Sequence, residues 1–292
     1  MKVGIIDVGS NSLRLLIADV ENGRVEQLHR ERVYARLGDD AHLRGRIGPR
    51  KLKETRAVAA RYARIARREA VERLETVVTA PGRQAGNQDE LVGVLAKATR
   101  APVVVLEADH EGRLAWQGAR SRLEHAPDRL AVVDLGGGSC EIAVGTAEPT
   151  WVHSMEAGAL RITRTFLDND PPEAEQIARA RQAIMRLVEH FDPPRSHTVL
   201  AVGGTARAAG RILGRRFGVE ELETLIASLV LRSAQSVTES HGVSRERART
   251  LLGGALVLSE IACRFRSDLE VGRGGLREGA ALALARAEAA AA

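Results

Sequence analysis

Along this chain, stretches in which apolar residues recur at helical spacing alternate with short, continuous apolar runs. Between residues 49 and 74, apolar positions recur at the spacing of one helix face, and arginines occupy most of the other positions. This spacing predicts a long amphipathic helix whose arginines form a solvated face. The apolar stripe consists of Leu52, Val58, Tyr62, Ile65, Ala66 and Val71.

Short apolar runs separate further helical segments. Residues 75–80 and 101–107 are rich in valine and lie between turn residues, which is typical of strands. Residues 197–213 are predicted to form a strand, a glycine turn and a helix, and the remainder of the chain is predicted to be helical. Helical patterns also cover residues 87–100, 110–126 and 171–191. Strands that alternate with helices predict the α/β class.

Two segments of the chain are alike. IDVGSNSLRLLIA (residues 6–18) matches VDLGGGSCEIAVG (residues 133–145) at an offset of 127 positions. Each consists of an apolar run, an acidic residue, a glycine and serine turn, and a second apolar run, which predicts a hairpin. The matched pairs are Asp7 with Asp134, Gly9 with Gly136, Ser12 with Ser139, and Arg14 with Glu141.

The repeated hairpin predicts two related domains. We place the boundary near Ala126, which gives one domain of residues 1–125 and a second of residues 126–292. The last helix is left free to pack back on the first domain. A chain of 292 residues is long enough for two such cores.

Charge and aromatic content narrow the range of ligands that this protein could bind. The chain has 43 basic and 38 acidic residues, a net charge of +5, and only four lysines among its basic residues. An arginine-rich surface is explained either by ordinary solvent-exposed cations or by phosphate binding, since the guanidinium group matches phosphate oxygens in two places. An aromatic content of 3% disfavours a nucleic-acid partner, because it leaves few side chains for base stacking.

Several other classes are disfavoured. No run is long and apolar enough to span a bilayer, and Asp7 interrupts any signal-peptide core, so we expect a cytoplasmic protein with no membrane partner. Two cysteines and scattered histidines make a zinc site improbable. The absence of GxxxxGK[ST] and GxSxG argues against a P-loop protein and a serine hydrolase.

The hairpin turns have the chemistry of a phosphate site. Glycines let backbone N–H groups converge on an anion, and serine adds a hydroxyl donor. An acidic residue beside such a turn would repel phosphate unless a cation such as Mg²⁺ lay between them. We therefore expect Mg²⁺ at Asp7, Asp134 and Glu141. The predicted phosphate-binding residues of the hairpins are Gly9, Ser10, Asn11, Ser12, Arg14, Gly136, Gly137, Gly138 and Ser139.

The different charges at one matched position suggest different roles. Arg14 is expected to bind phosphate directly, whereas Glu141 and Asp134 favour the metal. Two such turns, one from each domain, are expected to grip one chain of phosphates from both sides. A third candidate anion-binding segment consists of Gly203, Gly204 and Thr205, which lie between a predicted strand and the N-terminus of a predicted helix.

These motifs resemble the exopolyphosphatase/guanosine pentaphosphate phosphatase (Ppx/GppA) family, in its short two-domain form. The resemblance is carried in order, from residue 3 to about residue 280, by DVGSNSLRLLI, the RLG of residues 36–38, VVDLGGGSCEIAVG, VGGT and the GLREG of residues 275–279. It implies two ribonuclease-H-like domains around a central cleft, as in the superfamily of acetate kinase, sugar kinases, heat-shock proteins and actin.

The resemblance also implies a reaction. Members hydrolyse a terminal phosphoanhydride with Mg²⁺ and release orthophosphate from inorganic polyphosphate or from pppGpp. Glu111 falls on the family's catalytic glutamate, and Arg83 falls on the arginine of its phosphate-binding loop. Asp134, Ser139 and Glu141 fall on its metal and phosphate positions. The short form is expected to prefer short polyphosphate.

Four alternatives stay open. A pppGpp phosphohydrolase would share the mechanism, and a kinase of the same superfamily would need an acceptor pocket and an adenosine site. A polyphosphate- or nucleotide-sensing protein would bind without releasing phosphate. An actin-like polymer is the least favoured. The oligomeric state, including a homodimer, is left open.

Overall fold

The structure is a computed structural model that describes residues 1–125 and 127–291. The predicted domain boundary at Ala126 lies outside the described residues. The chain divides into two compact units. Unit 1 comprises Met1–Glu124 and Gly274–Ala292, and unit 2 comprises His125–Arg273. The last helix, which the sequence analysis grouped with the second domain, therefore lies in unit 1.

Unit 1 contains a five-stranded mixed sheet of order β3-β2-β1-β4-β5. The first three strands form an antiparallel meander, and β4 and β5 run parallel to β1. Its strands are β1 (Lys2–Val8), β2 (Leu13–Glu21), β3 (Arg24–Val33), β4 (Arg73–Val78) and β5 (Val103–Val105).

Helices cover the two faces of this sheet. The helices of unit 1 are α1 (Leu37–Arg44), α2 (Pro49–Arg68), α3 (Ala80–Gln84), α4 (Gln88–Thr99), α5 (Ala108–Arg120) and the last helix of the chain, α12 (Leu276–Ala291). One face packs its apolar side chains, such as Ile6 and Leu15, against α2 and α4. The other face packs Ile5 and Leu16 against α5 and α12. Both faces of β1 and of most of β2 are buried, as their continuous apolar runs predict, whereas β3 is exposed over much of its length.

Close backbone approach attaches α12 to α5. An added Cβ at Gly279 would lie 1.9 Å from the carbonyl oxygen of Leu114, and one at Gly118 would lie 2.0 Å from that of Gly275. Only glycine permits this contact. The GLREG segment therefore anchors the end of the chain within unit 1.

Unit 2 contains a six-stranded mixed sheet of order β10-β11-β9-β6-β7-β8. Its strands are β6 (Leu130–Leu135), β7 (Cys140–Gly145), β8 (Pro149–Met155), β9 (Thr198–Val202), β10 (Arg216–Phe217) and β11 (Leu269–Val271). As in unit 1, three antiparallel strands are followed by parallel neighbours on the other side of the first strand. The shared 3-2-1-4-5 order is the ribonuclease-H-like arrangement, so the predicted α/β class is confirmed.

Unit 2 has one long buried helix at its centre. The helices are α6 (Ala159–Phe166), α7 (Ala174–Leu187), α8 (Gly203–Leu213), α9 (Val219–Leu229), α10 (Ala234–His241) and α11 (Arg245–Phe265). Between Thr250 and Ala262 nearly every residue of α11 is buried. This explains its lack of a polar face. A serine caps the N-terminus of α10 and another that of α11.

Some elements were not predicted or end earlier than predicted. The helix expected over residues 49–74 ends at Arg68, because Ala70 takes a positive φ and β4 begins at Arg73. The prediction that the remainder beyond residue 213 is helical was wrong for β10 and β11. These strands have two and three residues, which is too short for a periodic signal. Pairing stabilises them, since β11 pairs with β9 and β10 pairs with β11. No described helix is long and apolar enough to cross a membrane.

Candidate active site

The turn between β1 and β2 is a compact, nearly solvent-free loop. Asp7 lies directly opposite Arg14 across the two strands, and their closest carboxylate and guanidinium atoms are 3.9 Å apart. The N–H of Gly9 donates a 3.1 Å hydrogen bond to the carbonyl of Ser12, and the Ser12 hydroxyl accepts one from Arg14. Ser10 is 3% exposed, and its hydroxyl has no hydrogen-bond partner among the described residues. A buried, unsatisfied donor beside a cation suits an anionic ligand.

The segment after β3 holds this turn in place. The N–H groups of Arg36 and Gly38 donate to the carbonyls of Asn11 and Ser10, at 3.1 and 2.8 Å. These two hydrogen bonds occupy turn carbonyls that would otherwise repel an anion. The RLG sequence therefore supports the turn through its backbone.

Arg83 and Glu111 meet at the same edge of the unit 1 sheet. Arg83 lies on α3, directly after β4, and Glu111 lies in the first turn of α5, after β5. An Arg83 Nη1 atom is 2.7 Å from a Glu111 carboxylate oxygen and 2.6 Å from the carbonyl of Leu106. The N–H of Thr79, at the end of β4, donates to the carbonyl of Val8, so the strand ends are adjacent. Ligands of α/β sheets bind at such carboxyl ends.

A row of cations extends from the first turn. Arg14 lies directly opposite Arg32 of β3, and Arg277, from the GLREG segment, lies close to both. Burial lowers the pKa of the Arg277 guanidinium, and the neighbouring charge of Arg14 lowers it further, whereas Glu278 and Asp7 raise it. No hydrogen bond or ion pair within the described residues satisfies the Arg277 side chain. Three cations clustered in this way around one carboxylate favour binding of a further anion.

The β6–β7 turn of unit 2 repeats the geometry of the first. The N–H of Gly136 donates a 3.0 Å hydrogen bond to the carbonyl of Ser139, as Gly9 does to Ser12. Asp134 lies directly opposite Glu141, as Asp7 does opposite Arg14. Both hairpins therefore share one register, and only the charge at the matched position differs.

Helix α6 docks against this second turn. Its N–H groups at Leu160 and Arg161 donate to the carbonyl of Gly137, and the Arg161 side chain donates to the carbonyl of Gly138 at 3.2 Å. An added Cβ at Gly158 would lie 2.3 Å from the backbone of Gly137. Arg161 thus brings a guanidinium to the glycine turn.

The third candidate anion-binding segment, Gly203 to Thr205, lies beside the second hairpin. Gly203, at φ +97°, pairs with Leu135 at the end of β6, and an added Cβ there would lie 3.3 Å from a carboxylate oxygen of Asp134. The Arg247 guanidinium covers the next residue, since an added Cβ at Gly204 would lie 2.0 Å from its Nη2 atom. Arg247 also donates to the hydroxyl of Thr205 at 3.3 Å. The structure therefore joins the two glycine turns of unit 2 and adds a cation to them.

The carboxylates of unit 2 fit a magnesium ion. Asp134 and Glu141 face each other across adjacent strands, and the Ser154 hydroxyl orients Glu141 through a 3.1 Å hydrogen bond. Burial raises the pKa of the neighbouring Cys140 thiol well above its usual value, and the charges of Glu141 and Asp134 raise it further. The described residues contain no group of three or more histidine, cysteine or carboxylate ligands. Mg²⁺ does not need one, because it is commonly held by one or two carboxylates plus substrate oxygens and water.

Three arginines at these turns were absent from the predicted site. Arg161 and Arg247 lie far along the chain from the glycine residues they contact, so no local motif marks them. Arg277 does lie in the GLREG motif, and the apolar residues around it predict a helix that packs against the core. Because arginine is rarely buried, an arginine in such a stretch could have indicated a functional role.

Comparisons with known proteins agree with this architecture. The Ppx/GppA phosphatase family model matches residues 16–288. The chain is 30% identical to exopolyphosphatase 2 of Mycobacterium tuberculosis (strain ATCC 25618 / H37Rv), over 97% of this chain and 98% of that protein. It is 29% identical to exopolyphosphatase 1 of Mycobacterium leprae, over 96% of this chain and 88% of that protein.

Solved structures give the same result. The Ppx/GppA family member of Aquifex aeolicus matches with a TM-score of 0.84 at 25% identity, covering 99% of this chain and 98% of that one. An exopolyphosphatase from Cytophaga hutchinsonii matches with a TM-score of 0.84 at 20% identity, covering 96% of each chain, and shows the shared fold. Together with the family match over most of its length, these similarities show that the chain belongs to the Ppx/GppA phosphatase family.

Proposed function

We propose that this protein is an exopolyphosphatase, which hydrolyses the terminal phosphoanhydride of inorganic polyphosphate and releases orthophosphate. The observation that carries the proposal is the ion pair of Arg83 and Glu111 at the strand ends that also hold the Ser10 turn. It combines a carboxylate able to accept a proton with a guanidinium able to bind phosphate. The names of the similar exopolyphosphatases of Mycobacterium support the same substrate class.

Glu111 is assigned the role of general base. Its side chain is 9% exposed, so few water molecules reach it. The adjacent guanidinium stabilises the ionised carboxylate that a base requires. A water held by this carboxylate would attack the last phosphorus in line, give its proton to Glu111, and break the bond to the bridging oxygen.

The phosphate groups are assigned to the turns and their cations. In unit 1 these are the backbone and hydroxyls of Gly9 to Ser12, with Arg14 and Arg83. In unit 2 they are Gly136 to Ser139 and Gly203 to Thr205, where backbone N–H groups and the α8 N-terminus favour an anion. Arg32, Arg161, Arg247 and Arg277 extend the set with cations that the sequence did not single out.

Asp134 and Glu141 would hold Mg²⁺, and Asp7 is proposed as a further metal ligand. When bound, the ion supplies positive charge that neutralises the phosphate oxygens during transfer. The protein's own contribution is to fix these carboxylates. The strand register sets Asp134 opposite Glu141, and Ser154 orients Glu141.

Orthophosphate release tests the proposal. The purified protein is incubated with tripolyphosphate, long-chain polyphosphate, pppGpp and ATP, with Mg²⁺ and separately with EDTA. We expect Mg²⁺-dependent release from polyphosphate and much less from ATP. Efficient release from pppGpp alone would move the assignment to a pppGpp phosphohydrolase. Binding without release from any substrate would identify a sensing protein instead.

A further inference from the structure

A second basic site lies in unit 1, at the opposite end of the sheet from the Ser10 turn. It is a groove of about 800 Å³ between α2, the end of α4 and the start of β4. Its lining includes Arg73, which pairs with Val3 in the sheet, whereas Asp7 pairs with Val77. Four residues separate these two positions along the strands, or about 13 Å. The groove is therefore distinct from the candidate active site.

Five cations line one side of this groove without counter-ions. Arg56, Arg64 and Arg67 come from α2, and Lys97 and Arg100 come from the end of α4 and the residue after it. Within the described part of the chain, none of these five side chains makes a hydrogen bond or an ion pair. Elsewhere on α2, by contrast, Arg50 pairs with Glu54 and Arg61 with Glu31.

The carboxylates of the groove do not neutralise this wall. Glu288 pairs with Arg73, Glu72 accepts a hydrogen bond from the backbone N–H of Lys2, and among the described residues neither carboxylate forms an ion pair with the five cations. Burial raises the pKa of Glu75, and no described ion pair joins this carboxyl to the five cations. The five cations on the wall formed by α2 and α4 therefore outnumber the carboxylates of the groove.

The shape of this cationic wall selects a chain-like anion. Arg56, Arg64 and Arg67 lie on one side of α2, and the eleven helical steps from Arg56 to Arg67 span about 16 Å. That length exceeds a single phosphate and suits several charges in a row. The lining contains no aromatic side chain, so it offers no surface for stacking bases.

We propose that this groove binds a segment of a long inorganic polyphosphate chain, remote from the phosphate that is hydrolysed. The inference rests on the proposed function for its ligand class. A second binding segment raises the effective concentration of a long chain at the protein and leaves a short one unaffected. The groove would thus add affinity for long polyphosphate to a site that handles the chain end, contrary to the preference for short polyphosphate that the family resemblance implied.

Direct binding of end-labelled long-chain polyphosphate tests this site, with EDTA present so that the polymer is not hydrolysed. The variant is Arg64→Glu with Arg67→Glu. The matched control is Lys53→Glu with Arg68→Glu, which makes the same charge change at exposed positions of α2 outside the groove. We expect the variant to lose at least about tenfold in affinity and the control less than about twofold. Tripolyphosphate turnover in Mg²⁺ should stay within about twofold of the unaltered protein.

An equal loss of affinity in the variant and the control would overturn the proposed groove, because the effect would then come from net charge alone. No loss in either protein would also overturn it, because the groove would then contribute nothing to binding. If a single-stranded oligonucleotide binds more tightly than polyphosphate, and the same variant loses that binding, the ligand of the groove is nucleic acid and the proposal is wrong. If the unaltered protein releases no phosphate from any substrate, the proposed function fails. The binding comparison still decides whether the groove holds polyphosphate.

Discussion

The guanidinium of Arg83 lies 2.7 Å from the carboxylate of Glu111, although 28 positions separate the two residues in the chain. Two short segments that follow neighbouring parallel strands bring them together. This contact joins the candidate base to the candidate phosphate-binding arginine, and it makes the roles of the two residues separable by mutation.

Glu111→Gln should abolish turnover and preserve the fold. Glutamine keeps the size of the side chain and can still accept a hydrogen bond from Arg83, but it cannot take a proton from water. We expect phosphate release from tripolyphosphate to fall by at least about 100-fold. Asp109→Asn on the same helix is the control, since Asp109 is exposed and pairs only locally with Arg113. Similar losses in both variants would contradict a base at Glu111.

Arg83→Ala should destabilise the protein through Glu111. The change leaves a largely buried carboxylate without its guanidinium, at a cost of about 1–3 kcal/mol in the free energy of unfolding. Adding Glu111→Gln should recover part of this loss, because a neutral amide is cheaper to bury. Urea unfolding of the two single variants and the double variant measures the coupling. Additive effects would show that the pair contributes no interaction to stability.

Substitutions at Gly203 and Gly204 should have different consequences. Gly203→Ala places a Cβ 2.6 Å from the carbonyl of Leu135 at a φ of +97°, so we expect a loss of about 2 kcal/mol or more in unfolding free energy. Gly204→Ala meets the guanidinium end of Arg247, a flexible group that can shift at little cost because its hydrogen bond to Thr205 is long, at 3.3 Å. Its stability should stay close to that of the unaltered protein, while the KM for polyphosphate rises. Thermal unfolding and steady-state kinetics measure the two effects.

Arg277→Met should weaken substrate binding with no loss of stability. The guanidinium is desolvated and lies near Arg14 and Arg32, so removing its charge relieves a cost in the folded state. We expect an unchanged or higher urea midpoint together with a higher KM for tripolyphosphate. Arg286→Met, at an exposed position of the same helix, is the control. A lower midpoint with an unchanged KM would indicate a purely structural role for Arg277.

The two cysteines should differ in reactivity. Burial and the nearby carboxylates raise the pKa of the Cys140 thiol, so the reactive thiolate is scarce at neutral pH, whereas Cys263 is exposed. A thiol reagent should modify one cysteine in the native protein and both in urea. Mass spectrometry of digested samples identifies the modified residue. Rapid modification of Cys140 in the native protein would contradict its burial beside Asp134 and Glu141.

The sequence by itself determined the features that depend on residues close together in the chain. The two similar segments, 127 positions apart, predicted two hairpins, and both hairpins have the same register. Strand pairing across a short turn follows from the local pattern of residues. The alternation of strands and helices gave the α/β class. The motifs also gave the family, since DVGSNS, GGGS and GLREG occur in the family's order.

Only the tertiary structure decided which distant side chains meet. The contact of Arg247 with the Gly204 turn, that of Arg161 with Gly138, and the position of Arg277 beside Arg14 all join segments far apart in sequence. The two smallest strands, β10 and β11, were likewise missed, because their own residues carry no periodic signal and the neighbouring sheet supplies their stability. The same reason places α12 in unit 1, since its contact with α5 depends on glycines in both helices that allow their backbones to touch.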